Sequence, residues 1–220
     1  MKNLIKFLIA AVMFAMATES FAQTFGVKGG LNLSTAVIKD NDDTYDDDLK
    51  MKPGFNLGAT VEFPINETFS VATGLLLSNK GTKEEYSESD YHFKEVLSLY
   101  YFDIPITGKA TYDLGGTKIY GIFGPCIGVG LSGKWKTEET FNGETDTQTE
   151  TLQWGSDSEN DHLKRLDFGL LFGGGVEISS FQIELSYNLG LANISSYTGD
   201  GFKINSRVLA LSLGYKFGGK

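Results

Sequence analysis

Cysteine occurs once in this chain of 220 residues, at Cys126, and histidine twice, at His92 and His162. A lone thiol excludes an internal disulfide framework, and so few soft ligands exclude the usual zinc and iron sites. Basic residues are outnumbered 19 to 28, for a net charge of −9 and a pI near 4.7. That balance excludes nucleic acid as the default partner, since phosphate backbones are held by clustered Lys and Arg. Proline occurs four times. After residue 22 no apolar run approaches the roughly 20 residues that a membrane-crossing helix takes. Glycine is the abundant residue, with 27 copies. Rich in glycine and poor in proline, the chain reads as β structure.

The first segment reads as an address. Lys2 and Lys6 precede an apolar run from Phe7 to Met16, and Ser20-Phe21-Ala22 puts small residues at −3 and −1 of a cleavage site before Gln23. These are the marks of a secretory signal peptide over residues 1–22, leaving 23–220 as one exported domain. No cysteine follows the apolar run, which closes the lipoprotein route.

The exported part alternates with period two. Phe181, Ile183, Leu185, Tyr187, Leu189 and Leu191 line one face of their segment, against Gln182, Glu184, Ser186, Asn188 and Gly190 on the other. Arg207 to Phe217 repeats the pattern, as do Leu166 to Ile178, where Leu171 breaks it, and Gly54 to Phe63. Phe25 to Leu33, Phe69 to Ser78, Leu97 to Tyr112 and Lys118 to Ser132 complete eight strands. In the last of these Ser132 is assigned to the polar face, and Pro125, unable to donate to a ladder, marks a bulge or local break. The connections alternate in length. Segments 35–52, 79–95, 133–164 and 193–205 are long, charged and mobile, whereas Pro64-Ile65-Asn66-Glu67, Asp113-Leu114-Gly115-Gly116 and Ser179-Ser180 are tight turns.

Even strand number, alternating faces and loops long at one end only are the signature of an all-β, eight-stranded, antiparallel up-and-down transmembrane barrel, a meander with long extracellular loops and short periplasmic turns. A soluble lipocalin-like barrel has the same alternation turned inside out. Two features favour lipid. The aromatics Phe25, Phe63, Phe69, Tyr112, Phe181, Tyr215 and Phe217 gather at the short-turn end as an interfacial girdle. The polar face is small and glycine-rich, as a crowded lumen requires. Its charges, Lys28, Glu62, Asp103, Lys109, Asp167, Glu177, Glu184 and Lys216, are then expected to point inward and pair, because a dry interior tolerates charge only in compensated form.

Signs of chemistry are sparse. The carboxylates Asp40, Asp42, Asp43, Asp46, Asp47 and Asp48 crowd the first loop but lack the glycine turn and closing glutamate of an EF-hand, so they read as a solvated acidic loop. His92 beside Asp90 and His162 beside Asp161 carry no nucleophile motif, and Cys126 falls among inward glycines as a small buried thiol. No catalytic residue, metal site or cofactor is expected. The partners expected are outer-membrane lipid and an extracellular or envelope protein met by loop residues such as Tyr86, Tyr91, Trp135, Trp154 and Phe202, with the barrel itself a monomer. A barrel enzyme acting on lipid or peptide is the competing membrane-bound reading.

Six motifs in order carry a family likeness. They are Phe25-Gly26-Val27-Lys28-Gly29-Gly30-Leu31-Asn32-Leu33-Ser34, Tyr101-Phe102-Asp103-Ile104-Pro105, Gly121-Ile122-Phe123-Gly124-Pro125, Asp167-Phe168-Gly169 with Gly175-Val176-Glu177, Tyr187-Asn188-Leu189-Gly190-Leu191-Ala192-Asn193-Ile194, and Leu213-Gly214-Tyr215-Lys216-Phe217. Over essentially the whole exported part the sequence resembles the PorT-like outer-membrane β-barrel family of Bacteroidota. The resemblance implies an outer-membrane location, while the secretion role of its best-known member does not carry over. The tail Gly218-Gly219-Lys220 departs from the terminal aromatic of many barrels.

Overall fold

A computed structural model describes residues 23–45 and 49–217. The signal-peptide reading of 1–22, the carboxylates Asp46 to Asp48 and the tail after Phe217 lie outside the described residues. Ten strands follow one another: β1 Thr24–Lys39, β2 Leu49–Lys50, β3 Lys52–Pro64, β4 Phe69–Glu88, β5 Tyr91–Asp113, β6 Thr117–Phe141, β7 Glu144–Thr151, β8 Leu166–Ile178, β9 Phe181–Gly190 and β10 Lys203–Phe217. Eight of them close a ring in the order β1-β3-β4-β5-β6-β8-β9-β10, every neighbour antiparallel, and β10 returns to β1 in unbroken register from Phe25↔Phe217 to Lys39↔Lys203. The closed ring leaves the barrel wall no free edge, which is what lets strands cross lipid.

The faces decide which solvent the wall meets. Phe25, Leu31, Leu57, Phe123, Leu185 and Leu213 stand exposed on the outside, while Asn32, Ser34, Asn56, Asp103 and Lys109 are buried within. A soluble ligand-binding barrel requires the reverse, so the lipocalin alternative falls on geometry. At the short-turn end Phe25 pairs with Phe217 and Phe181 with Tyr215. The rings of Phe181 and Phe217 each lie 5.1 Å from that of Tyr215. Phe69 and Tyr112 are exposed at the same end and Phe63 is half-buried.

The tight turns are held by their own side chains. Asn66 Oδ1 accepts the N–H groups of Thr68 and Phe69 at 2.9 and 2.7 Å, and Asp113 Oδ1 accepts those of Gly115 and Gly116 at 2.8 and 3.2 Å. The donations from Gly115 and then Gly116 hold the Asp113 carboxyl below its ordinary range.

Two of the four long connections, 79–95 and 133–164, are in good part strand. β4 and β5 run on to a turn at Ser89-Asp90, and β6 runs on to Asn142-Gly143 before β7 returns beside it. About 10 residues span the apolar band, whereas β5 has 23 and β6 has 25. More than half of each therefore stands outside the membrane. Asn142 (φ 51°) and Gly143 (φ 82°) both occupy the left-handed region, which a two-residue hairpin of primed type demands. Gly143→Val is expected to fray β7 from β6 and make 136–150 sensitive to protease, with the barrel's resistance to SDS unchanged; limited proteolysis of intact cells reads both.

The ladder departs from regularity at two places on β5 and β6. Around Pro105 and Pro125 paired residues are missing but the register holds, so the prolines interrupt hydrogen bonding without adding a residue. The bulge lies elsewhere, where Tyr100 pairs with Ser132 but Tyr101 with Gly130. The extra residue, Leu131, reverses the faces beyond it, so Ser132 is exposed rather than inward and Gly133 takes the buried position.

Candidate functional site

The lumen is built in layers from residues two apart on each strand. Nearest the short turns, Lys109 (β5) reaches Glu62 (β3) at 3.0 Å and Glu177 (β8) at 3.3 Å, while Lys216 (β10) reaches the same two carboxylates at 3.2 and 3.1 Å. Ser70 donates to Glu62 at 2.8 Å and Gln182 to Glu177 at 2.9 Å. Two ammonium groups and two carboxylates thus neutralise one another, with Lys109 only 3% exposed. Below them opens a vestibule of about 580 Å³. One layer up, Lys28 pairs with Glu184, which also accepts the Tyr120 hydroxyl at 3.3 Å. Then comes an apolar stratum that the alternation conceals, formed by Leu76, Ile122 and Leu171 turned inward.

Above it Lys80 (β4) contacts Asp103 at 2.7 Å and Asp167 at 4.0 Å, and Ser206 donates to Asp167 at 2.8 Å. All eight charged positions expected inside are in the lumen. Lys80 and Lys52, both counted with loops on the sequence, join them: Ser70, Leu76 and Ser78 extend by the same period to Lys80, and the buried Lys52 of β3 donates to Asn79 Oδ1 at 2.6 Å. Cys126 is buried beside this layer, in a cavity of about 50 Å³.

Segment 152–164 closes the far end. Leu152 and Leu163 pack with Leu99, Tyr101 and Ile194, and the Trp154 ring stands edge-on to Tyr101 with centroids 5.6 Å apart. Gly130 supplies the room, since a Cβ there would fall 2.4 Å from the Trp154 ring. Trp154 therefore lies inside the cap and is not a free loop contact. Leu163→Ala is expected to cost about 2–5 kcal/mol as a cavity-forming change and to expose 152–164 to protease ahead of the wall, read by hydrogen exchange.

Beyond the cap rises a sheet with strand order β2-β4-β5-β6-β7. Its register separates charge by face. On the face continuous with the lumen lie Glu84 and Glu88 of β4, Glu95 of β5, Glu139 of β6, and Glu144, Asp146 and Glu150 of β7, with Tyr86, Tyr91, Phe93, Trp135 and Phe141 between them. Beyond the cap, no Lys or Arg among the described residues of these strands shares that face. Lys50, Lys83, Lys94, Lys134 and Lys136 all fall on the opposite one, where Glu138 accepts from Lys136 and, at 2.9 Å, from Lys94. Those two bonds hold the Glu138 carboxyl down to about 2.

The histidines sit apart from the lumen. His92 Nδ1 lies 2.8 Å from Ser87 Oγ across the β4–β5 hairpin, both exposed, with no carboxylate on its other ring nitrogen among the described residues. His162 Nδ1 accepts the Gln153 N–H at 3.1 Å, and its Nε2 lies 3.6 Å from Glu150. In the first loop Asp40 accepts the N–H groups of Asp42 and Asp43 and the Tyr45 hydroxyl, each at 2.8 Å, so its oxygens organise their own turn. The bonds from Asp43 and Asp42 hold its carboxyl below the ordinary range.

Comparison with known proteins agrees with the ring. The family model described as "Outer membrane protein beta-barrel domain" matches residues 21–196. Among solved structures, the attachment invasion locus protein Ail of Yersinia pestis is 17% identical, with 89% of this chain and 99% of that one covered and a TM-score of 0.38. Neisserial surface protein A is 14% identical over 88% and 97%, TM-score 0.39. The N-terminal barrel domain of Pseudomonas aeruginosa OprF is 8% identical over 88% and 98%, TM-score 0.32. At these values the barrel assignment rests on the closed register and the family match. No curated protein matches the sequence.

Proposed function

We propose that this chain, which belongs to the outer membrane protein beta-barrel domain family, is a non-enzymatic surface protein that works through the sheet standing above its barrel. The observation that carries this reading is a division of labour along the strands. Inside the membrane the lumen is occupied by compensated charges and capped by 152–164, whereas outside it two long hairpins present an ordered face of aromatic and acidic side chains. An eight-stranded barrel is about wide enough for its own side chains, so conduction is a poor use of this interior. Among the described residues the exposed His92 and Ser87 pair has no carboxylate on the other ring nitrogen, the third member that a hydrolytic triad uses.

The reading extends to three finer points. Residues 1–22 act as a cleaved export signal and 23–220 form the domain, on the n-region, apolar run and Ala22 site. Within the family the chain stands with the PorT-like group, on the six motifs from Phe25 to Phe217. It works as a monomer, with outer-membrane lipid around the wall and an extracellular or envelope protein at the head.

Two measurements test it. Reconstituted in planar bilayers, the protein is expected to give no single-channel currents. Cells displaying the full chain are compared with cells whose segments 83–94 and 136–149 are each replaced by an Asn-Gly turn, for attachment to surfaces and to one another. Attachment is expected to fall while the shortened barrel still shifts on gels only after heating; unchanged attachment together with a conducting pore would sink the proposal.

A further inference from the structure

β7 is the terminal strand of the extracellular sheet. It pairs with β6 along its whole length, from Glu144↔Phe141 to Thr151↔Lys134, and no other strand pairs with it among the described residues. Its far edge thus presents an open row of backbone donors and acceptors. Native sheets blunt such edges with charged side chains, lysine above all, and with proline, bulges or covering loops. β7, Glu-Thr-Asp-Thr-Gln-Thr-Glu-Thr, has no proline, no lysine and no break in register, and every residue in it is exposed. The alternating threonines give it strand propensity without help from a core.

What distinguishes this edge is its charge. Glu144, Asp146 and Glu150 project from the same face, and Glu139 of β6 stands directly opposite Asp146 on that face. Trp135 and Phe141 lie on it too, 37% and 63% exposed, opposite Glu150 and Glu144. A second copy of this chain pairing edge to edge would bring carboxylates against carboxylates, which is unfavourable between neighbouring strands. A strand with cations at alternate positions meets the opposite situation. Its backbone completes the ladder, its cations face the carboxylates, and aromatic rings beside them offer a cation–π surface.

We infer that β7 captures an extended, lysine- or arginine-rich segment of another protein by strand addition. The inference rests on the surface-interaction reading above and names the class of partner.

The test uses the full chain in phosphatidylcholine nanodiscs, whose headgroups carry no net charge, and three fluorescent peptides as long as β7. One alternates Lys and Thr, one carries the same residues in two blocks, and one is the alternating peptide N-methylated at every second residue, which removes backbone donors and keeps the charge. The alternating peptide is expected to bind about tenfold more tightly than either control, a difference near 1.4 kcal/mol. Its affinity should fall as salt is raised, and it should protect β7 amides from exchange. Glu144→Gln with Asp146→Asn and Glu150→Gln is expected to abolish that preference while heat-modifiability stays unchanged.

Equal binding of all three peptides would reduce the site to charge attraction and overturn strand addition, as would no binding, or sedimentation showing two copies joined through β7. Because the N-methylated peptide is tried on the unaltered chain, the result does not depend on the variant folding. Absent peptide binding with attachment still lost on hairpin shortening would overturn this inference alone. Attachment untouched by shortening would overturn the reading beneath it.

Discussion

Glu177→Leu is expected to cost the barrel about 3–5 kcal/mol, the range for removing one partner of a buried ion pair. Lys109 and Lys216 then share the single carboxylate of Glu62, and one ammonium group is left in the lumen uncompensated. Most of the loss is the desolvation of that orphan rather than the attraction of the pair, and this separates the prediction from a simple count of contacts. Removing the orphan as well should therefore restore stability. Glu177→Leu combined with Lys216→Met leaves Lys109 with Glu62 at 3.0 Å and is expected to unfold close to the parent. Urea unfolding in lipid vesicles, followed by fluorescence of Trp135 and Trp154, supplies the cycle. Were the lumen wet and its charges screened, the single substitution would cost under about 1 kcal/mol and the double would bring no recovery.

Gly124→Val is expected to prevent a folded barrel from accumulating, while Gly121→Ala, three residues away on β6, should be silent. A Cβ at Gly124 would fall 2.1 Å from the Ile106 carbonyl oxygen and 2.8 Å from Thr107 Cα. Both are backbone atoms of β5, beside the stretch where Pro105 and Pro125 interrupt the ladder. Neither can rotate away, so relief requires the strands to part. Gly121 faces outward, and its Cβ would meet the Gly173 oxygen at 3.8 Å, an ordinary contact. Heat-dependent mobility of the outer-membrane fraction in SDS distinguishes the two, because a closed barrel shifts only after boiling. A Gly124→Val protein that shifted like the parent would show that β5 and β6 can yield there.

The contrast between those glycines also indicates what alternation alone reveals. Wherever one side of a strand meets lipid, apolar residues recur at every second position, and segments such as Leu166 to Ile178 and Phe181 to Gly190 are legible almost to their ends. Legibility fails where that contrast vanishes. The upper parts of β4 to β7 carry charged or hydroxyl residues on both faces, so Glu144 to Thr151 looks like a loop by hydropathy, and only Asn142-Gly143 betrays the hairpin. One inserted residue, Leu131, is invisible to a count of alternate positions, yet it moves Ser132 to the other face. Inward apolar side chains such as Ile122 and Leu76 keep the period of their strands by position and are missed only where a face is assigned by polarity. Which lysine meets which carboxylate depends on how the strands are staggered around the ring, information distributed over all eight of them.

The layer nearest the periplasm carries a consequence for assembly. Its second cation, Lys216, is delivered by β10, the last strand to emerge, and it reaches across to carboxylates on β3 and β8. Until that strand docks against β1, Glu62 and Glu177 have Lys109 alone between them. A chain cut short before β10 would thus lack both the seam and the counter-charge that makes a dry interior tolerable there. Electrostatic neutrality in this layer is a property of the finished ring, and it penalises an incomplete molecule twice, once in unpaired backbone and once in unpaired charge.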